Sequence, residues 1–308
     1  MQSILAAWRV SLHRTRADWP IVAAAGLIAL LAATLLAAGP IYSSAVSVAG
    51  LHRQLESAPI TDAAIEVVAR VEPENAAAAD EALRDALSST VAPVGLDVVS
   101  IGTSDSFTLP GQDPDEIRDL ATIGFLEGVD EHATLVVGEW PSTSGAGTPL
   151  EVAVVAPAAD TLGLRVGDTL ALTSRVGEDG ILDVVIAGIY RPNDPTERYW
   201  WGDPSLTDGL VESAQYRTFG PLLTRPEAFL AQAGDQRARL TWHAFPHIDE
   251  LGIDGVDRLA ARLNRLGAVV EGTLPASFAS AETGLPGSLE EADRSLLVSR
   301  TGVLLLMA

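Results

Sequence analysis

Cysteine is absent from the 308 residues, and so is lysine: all twenty basic residues are Arg. The first absence excludes a disulfide framework, a thiolate metal site and a Cys nucleophile. The second excludes a GxxxxGK[ST] phosphate loop and an SxxK nucleophile, so the chain carries no phosphate-loop motif for hydrolysing ATP. No GxSxG occurs, and the Ser residues of "STSGAG", from Ser142, sit in a loop-like composition. The chain is therefore expected to be non-catalytic and to carry no cofactor. Positive charge is scarce too, since residues 39–293 hold 40 acidic residues against 15 Arg. Such a surface repels nucleic acid and anionic lipid heads, and suits solubility outside the cell.

One long hydrophobic run is present. Trp19 to Ala38, "WPIVAAAGLIALLAATLLAA", contains no charge, and twenty residues at roughly 1.5 Å each match a hydrocarbon core of about 30 Å. It is expected to be a transmembrane helix. Ala25, Ala29, Ala33 and Ala37 recur every fourth residue, so small side chains line one helix face and would let another helix approach closely. Before the run stand Arg9, His13, Arg14 and Arg16, which predicts a cytoplasmic N-terminus and an extracytoplasmic remainder. A cleaved signal peptide is the alternative, with small residues at Ser47 and Ala49, but the run exceeds the usual length of a signal core. Ile4, Leu5, Trp8 and Leu12 share one face of residues 1–18, an amphipathic segment suited to the interface.

Past a stalk at 39–62, residues 63–133 read as a first α/β part. Ile65, Val67 and Ala69 alternate on a strand, Glu74 to Val91 forms an Ala-rich helix, and Leu96 to Ile101 forms a second strand. The two strands are either neighbours or split by a third. Ile117 to Ile123 reads as a short helix. Residues 134–190 are a β-rich subdomain, with strands at Val152 to Val155, Thr169 to Thr173 and Leu182 to Tyr190 and a short helix at Ala156 to Leu162. A loop-rich connection, 191–238, leads to a second α/β part at 239–293. There Arg239 to Phe245 and Ala268 to Gly272 read as strands around a helix at Gly255 to Leu266. Residues 294–308 turn apolar, as at the start of a second transmembrane helix, and the chain is expected to be truncated.

This layout resembles the FtsX-like permeases of the MacB type, the membrane subunits of mechanotransmitting ABC transporters. The segment that carries the resemblance is "LEVAVVAPAADTLGLRVGDTLAL", Leu150 to Leu172. Leu162, Gly163, Leu164, Val166, Gly167, Asp168 and Leu170 fill the family's "LGLxVGDxL" pattern, and Ala187, Gly188, Ile189 and Tyr190 fill most of "VxGIY". The resemblance implies an α+β fold: an N-terminal transmembrane helix, a mixed α/β porter-like ectodomain and a β-rich insert. It implies a plasma-membrane location, a separate ABC ATPase subunit, and a homodimer or second permease half. The competing expectations are the extracytoplasmic sensor region of a receptor or kinase, and a membrane-anchored binding protein.

The signature itself is structural: its glycines supply turns, and Asp168 accepts backbone donors within its own turn. Two clusters bear on metal binding. His243 and His247 flank "AFP" near Asp249 and Glu250, but Pro246 bars a helical HxxxH and a third ligand is missing. Asp113, Asp115, Glu116 and Asp119 lack the order of a calcium loop and read as a helix start. No metal site is expected. Tyr199, Trp200 and Trp201 are the candidates for ectodomain contact, against the alternative that they pack under their own loop.

Overall fold

The computed structural model describes residues 19, 23–34, 50, 53, 58–113, 118–142, 149–176, 180–232, 238–252, 255–291 and 294. The chain divides into two compact units, one formed by residues 1–53 with 292–308 and the other by residues 54–291.

In the first unit the described helix, α1, covers 23–34. Among the described residues no helix is long and apolar enough to cross a membrane, which corrects the transmembrane helix expected over 19–38. Ala25, Ala29 and Ala33 lie exposed on α1, while Ala37 and all but Arg294 of the expected second membrane segment lie outside the described residues.

The second unit is one continuous twelve-stranded sheet, part of which closes on itself. Strand β1 (Ile65–Val71) is followed by α3 (Ala76–Val91) and β2 (Leu96–Thr103), after a single turn of helix, α2 (Ile60–Ala63). Strand β11 (Ala238–Pro246) is followed by α8 (Val256–Leu263), α9 (Leu266–Thr273) and β12 (Phe278–Glu282). These four strands lie in the order β12-β1-β11-β2, every neighbour antiparallel, so each strand–helix–strand passage is split by a strand of the other. The alternation of β1 puts Ile65, Val67, Ala69 and Val71 on the buried face, under Leu83 and Leu87 of α3. From β11 the same face receives Ala238, Leu240, Trp242 and Ala244. Trp242 donates its indole N–H to Asp80 Oδ1 at 2.7 Å, which satisfies the polar end of a ring that is otherwise wholly buried.

Between β2 and β11 the chain builds a closed six-stranded barrel. Its strands are β3 (Phe107–Thr108), β4 (Asp119–Leu126), β6 (Leu150–Val155), β7 (Thr169–Ser174), β8 (Ile181–Pro192) and β10 (Arg217–Leu223). They run β4-β3-β7-β8-β6-β10, and a parallel β4–β10 pairing closes the ring. Closure removes the open edges a flat sheet of these strands would expose. Strand β5 (Ala133–Gly138) pairs outside the ring with β8, and β9 (Leu210–Glu212) with β10.

The barrel corrects the expected fold in two further ways. The β-rich part is not confined to 134–190, because β3, β4 and β10 come from outside that range. Nor is it a separate insert, because β4 also pairs with β2 and joins the ring to the four-stranded sheet. The helix expected at Ile117 to Ile123 is instead strand β4, buried along nearly its whole length between three partners; a short continuous apolar run has no period to separate strand from helix. The strand expected at Ala268 to Gly272 is helix α9, which buries Leu266 and Val270 one turn apart. The edge strand follows it, as β12.

The segment that carried the family resemblance forms β6, the helix α5 (Ala156–Leu162), a turn and β7. Gly163 ends α5 at φ 67°, and Leu164 N–H closes the cap on Ala159 O at 2.9 Å. Asp168 Oδ2 accepts from Arg165 N–H at 2.8 Å, a turn contact with no catalytic geometry.

Candidate functional site

On the face of the four-stranded sheet away from the helices, register places Glu282, Glu66 and His243 side by side across β12, β1 and β11. Cross-strand neighbours on one face lie within side-chain reach, so two carboxylates and an imidazole form a row. His243 is only 3% exposed; its Nε2 faces Glu66 Oε1 at 3.4 Å, and its Nδ1 is buried without a hydrogen-bond partner among the described residues. The tautomer with the proton on Nε2 fits this arrangement, since it leaves only an acceptor lone pair unmet.

Over the row lies Trp201. The chain leaves β8, makes a turn of 3₁₀ helix at Arg198–Trp200, and passes through Trp201 at φ 57°. No other non-glycine residue among those described has positive φ, and a bulky side chain rarely adopts it. Two ring contacts hold the conformation: the indole stacks on His243, centroids 3.8 Å apart and planes 10° from parallel, and meets Phe245 edge-on at 5.8 Å.

Beside Trp201 opens a cavity of about 410 Å³, whose wall includes Asp62 of α2, Glu66, Glu282 and Thr283. The segments entering and leaving this unit meet there. Gly284 N–H donates to Thr61 O at 2.8 Å, and Thr283 Oγ1 to Ala64 O at 2.7 Å. The cavity is thus built from the unit's entry, its exit and the loop that follows β8. Neither Asp62 nor Glu282 has an ion-pair or hydrogen-bond partner for its carboxylate among the described residues. The nearby Arg198 is engaged elsewhere, donating to Ala63 O at 3.4 Å with its guanidinium 5.6 Å from the Phe245 ring centroid.

Of the three expected contact aromatics, only Trp201 reaches this site. Tyr199 and Trp200 are 5% and 0% exposed, so they are core side chains. Tyr199 OH donates to Glu127 O at 2.7 Å and its ring stacks on His132 at 3.7 Å; burial pushes its hydroxyl well above the usual phenol range.

His243 and His247 do not converge. His247 lies past the end of β11 and pairs with Asp97 at 2.9 Å, with Glu250 Oε1 3.7 Å from Nδ1. No group of three ligating side chains suited to a metal occurs among the described residues. From the acidic cluster, Asp119 is on β4 and grips Arg217 through two bonds of 2.7 Å, while Asp115 and Glu116 lie outside the described residues. Ser142 donates its hydroxyl to Glu151 at 2.7 Å; its backbone N–H and that hydroxyl together hold the Glu151 carboxyl below its ordinary value.

Sequence reasoning missed Glu66, Glu282 and Asp62. Glu66 stands at an alternate position of a strand that was legible, but the partners it would face depend on which strands flank β1, and that is set by the split topology. No family model matches this chain, and no curated protein sequence matches it.

Proposed function

We propose that residues 54–291 form the extracytoplasmic part of an FtsX-like permease assembly of the MacB type at the plasma membrane, binding a partner or passing on force while a separate ABC ATPase supplies the energy. The observation that carries this reading is the meeting of entry and exit, joined by the Gly284–Thr61 and Thr283–Ala64 hydrogen bonds. A domain whose two ends lie side by side moves as one body when those ends are shifted, as force transmission requires. The signature from Leu150 to Tyr190 adds the family resemblance, and the strongly acidic chain suits the outer side of a cell. The proposed partners are the ATPase subunit, a second copy or permease half, and the bilayer that holds the assembly.

The test is purification of the tagged full chain from membranes of its source cells in mild detergent. Co-purification of an ABC-type ATPase whose ATP turnover changes when the chain is removed is the expected result. Recovery with no such ATPase, or one whose turnover is indifferent to the chain, overturns the reading. One observation favours a second reading, a sensor region of a receptor: the cavity beside Trp201 is a place for a ligand to be read.

A further inference from the structure

We infer that the outer face of the helical layer is the contact between two copies of this chain, with α8 of each lying on α3 of the other. This rests on the reading above in taking a second copy as a partner, and goes beyond it in assigning the surface. Both helices spend one side on the core: α3 buries Ala79, Leu83 and Leu87, and α8 buries Val256, Leu259 and Leu263. The two pack against each other, with Arg262 of α8 reaching Ser89 O of α3 at 3.5 Å. What they turn outward is opposite in charge. On α3, Glu81, Asp85 and Ser88 are exposed and follow one another at helical spacing, so they form one stripe. On α8, Arg258 and Ala261 are exposed, and Arg265, just past the end of the helix, continues the same spacing.

These charges are unmet. The side chains of Glu81, Asp85, Arg258 and Arg265 have no ion-pair or hydrogen-bond partner among the described residues, whereas Arg84 and Arg217 each grip a carboxylate. An acidic stripe beside a basic one makes the surface complementary to itself. A two-fold axis lays each stripe on its opposite in the other copy, and the contact closes at two chains. The charge of the whole chain narrows where two copies can meet. With 41 acidic residues against 20 Arg, most faces of one copy repel another, so they meet where Arg is offered to carboxylate. At about 0.15 M salt the screening length is about 8 Å, so distant like charges fade while touching pairs keep their attraction. Ser88 and Ala261 are small side chains within the two stripes and let the helices approach.

The experiment is thiol cross-linking of the purified full chain in mild detergent with a short bismaleimide. The chain has no Cys, so one substitution places the only thiol in each copy. A Ser88→Cys chain mixed with an Ala261→Cys chain should give a mixed cross-linked dimer at least threefold more abundant than either chain gives alone. Arg258→Glu with Arg265→Glu in both copies sets acid against acid and should lower that product at least fivefold. Glu81→Arg with Asp85→Arg in both copies sets base against base and should do the same. Pairing the two reversals should restore it, with Ser88→Cys on the α3-reversed chain and Ala261→Cys on the α8-reversed chain, because each stripe then meets its opposite again. Recovery in that mixture also shows that both variants fold. A mixed product no more abundant than the single-chain ones overturns the proposal and leaves the basic stripe to a different acidic protein. A product indifferent to the reversals, or one that the paired reversals fail to restore, overturns it as well. No ATPase enters the measurement, so its failure strikes this interface and leaves the ATPase test standing, and the reverse also holds.

Discussion

His247 is the residue whose charge state is most open to experiment. The hydrogen bond to Asp97 Oδ2, aided by the fields of Asp97 and Glu250, raises its pKa above the ordinary imidazole value of 6.5. A raised folded pKa means that the pair's stabilisation is fully present below about pH 6.5 and is lost as the pH rises through the folded value. NMR titration of the imidazole should show a midpoint above 6.5 that Asp97→Asn moves downward. A midpoint unmoved by that substitution would detach the shift from Asp97. Asp80 is a sharper structural test, because its carboxylate serves both the Trp242 indole and Arg84, the latter at 2.9 Å. Asp80→Ala leaves a buried N–H without a partner and should cost about 1–3 kcal/mol in urea unfolding. In the Trp242→Phe background the same change should cost clearly less, since the orphaned donor is then gone.

At the scale of elements, α3 shows how far the sequence could be read. Its buried positions Ala79, Leu83, Leu87 and Val91 repeat every fourth residue, and the helix is legible from that spacing alone. Leu83→Ala should destabilise by about 2–5 kcal/mol, whereas Glu81→Ala, on the exposed side, should stay within about 0.5 kcal/mol; equal effects would mean the helix is turned otherwise. Helix α5 and strands β1, β6, β7, β8 and β11 were legible for the same reason, each having one dominant period or a capping glycine. What was not legible depends on partners far away in the chain. β4 reads as a helical turn until three strands are known to flank it, and β10 is hidden in a connection that holds five prolines between 191 and 238. The row Glu282–Glu66–His243 has the same cause: each residue is visible, and only the order β12-β1-β11 makes them neighbours.

For the molecule as a whole, the decisive feature of residues 54–291 is that β4 serves two structures at once, pairing with β2 of the four-stranded sheet and with β3 and β10 of the barrel. A shared strand couples their stability, because neither can lose β4 and keep its own ladder. The seam is narrow. A methyl group on Gly124 would run into the carbonyl oxygen of Gly102 and lie 3.1 Å from Cβ of Pro221, so β2 and β4 approach there as closely as only a glycine permits. Gly124→Ala should therefore destabilise by about 1–3 kcal/mol, and amide exchange should rise together in β11 of the sheet and β8 of the barrel. Gly287→Ala, in the helix over 285–291 with open space around it, should move stability the other way by about 0.5–1 kcal/mol, since alanine surrenders less backbone entropy in a helix. If β8 kept its protection while β11 lost it, sheet and barrel would be separate folding units, and a force applied where the chain enters and leaves at Thr61 and Gly284 would stop at the sheet. If both fall together, sheet and barrel are one folding unit, and a force applied at that entry and exit reaches the barrel through β4.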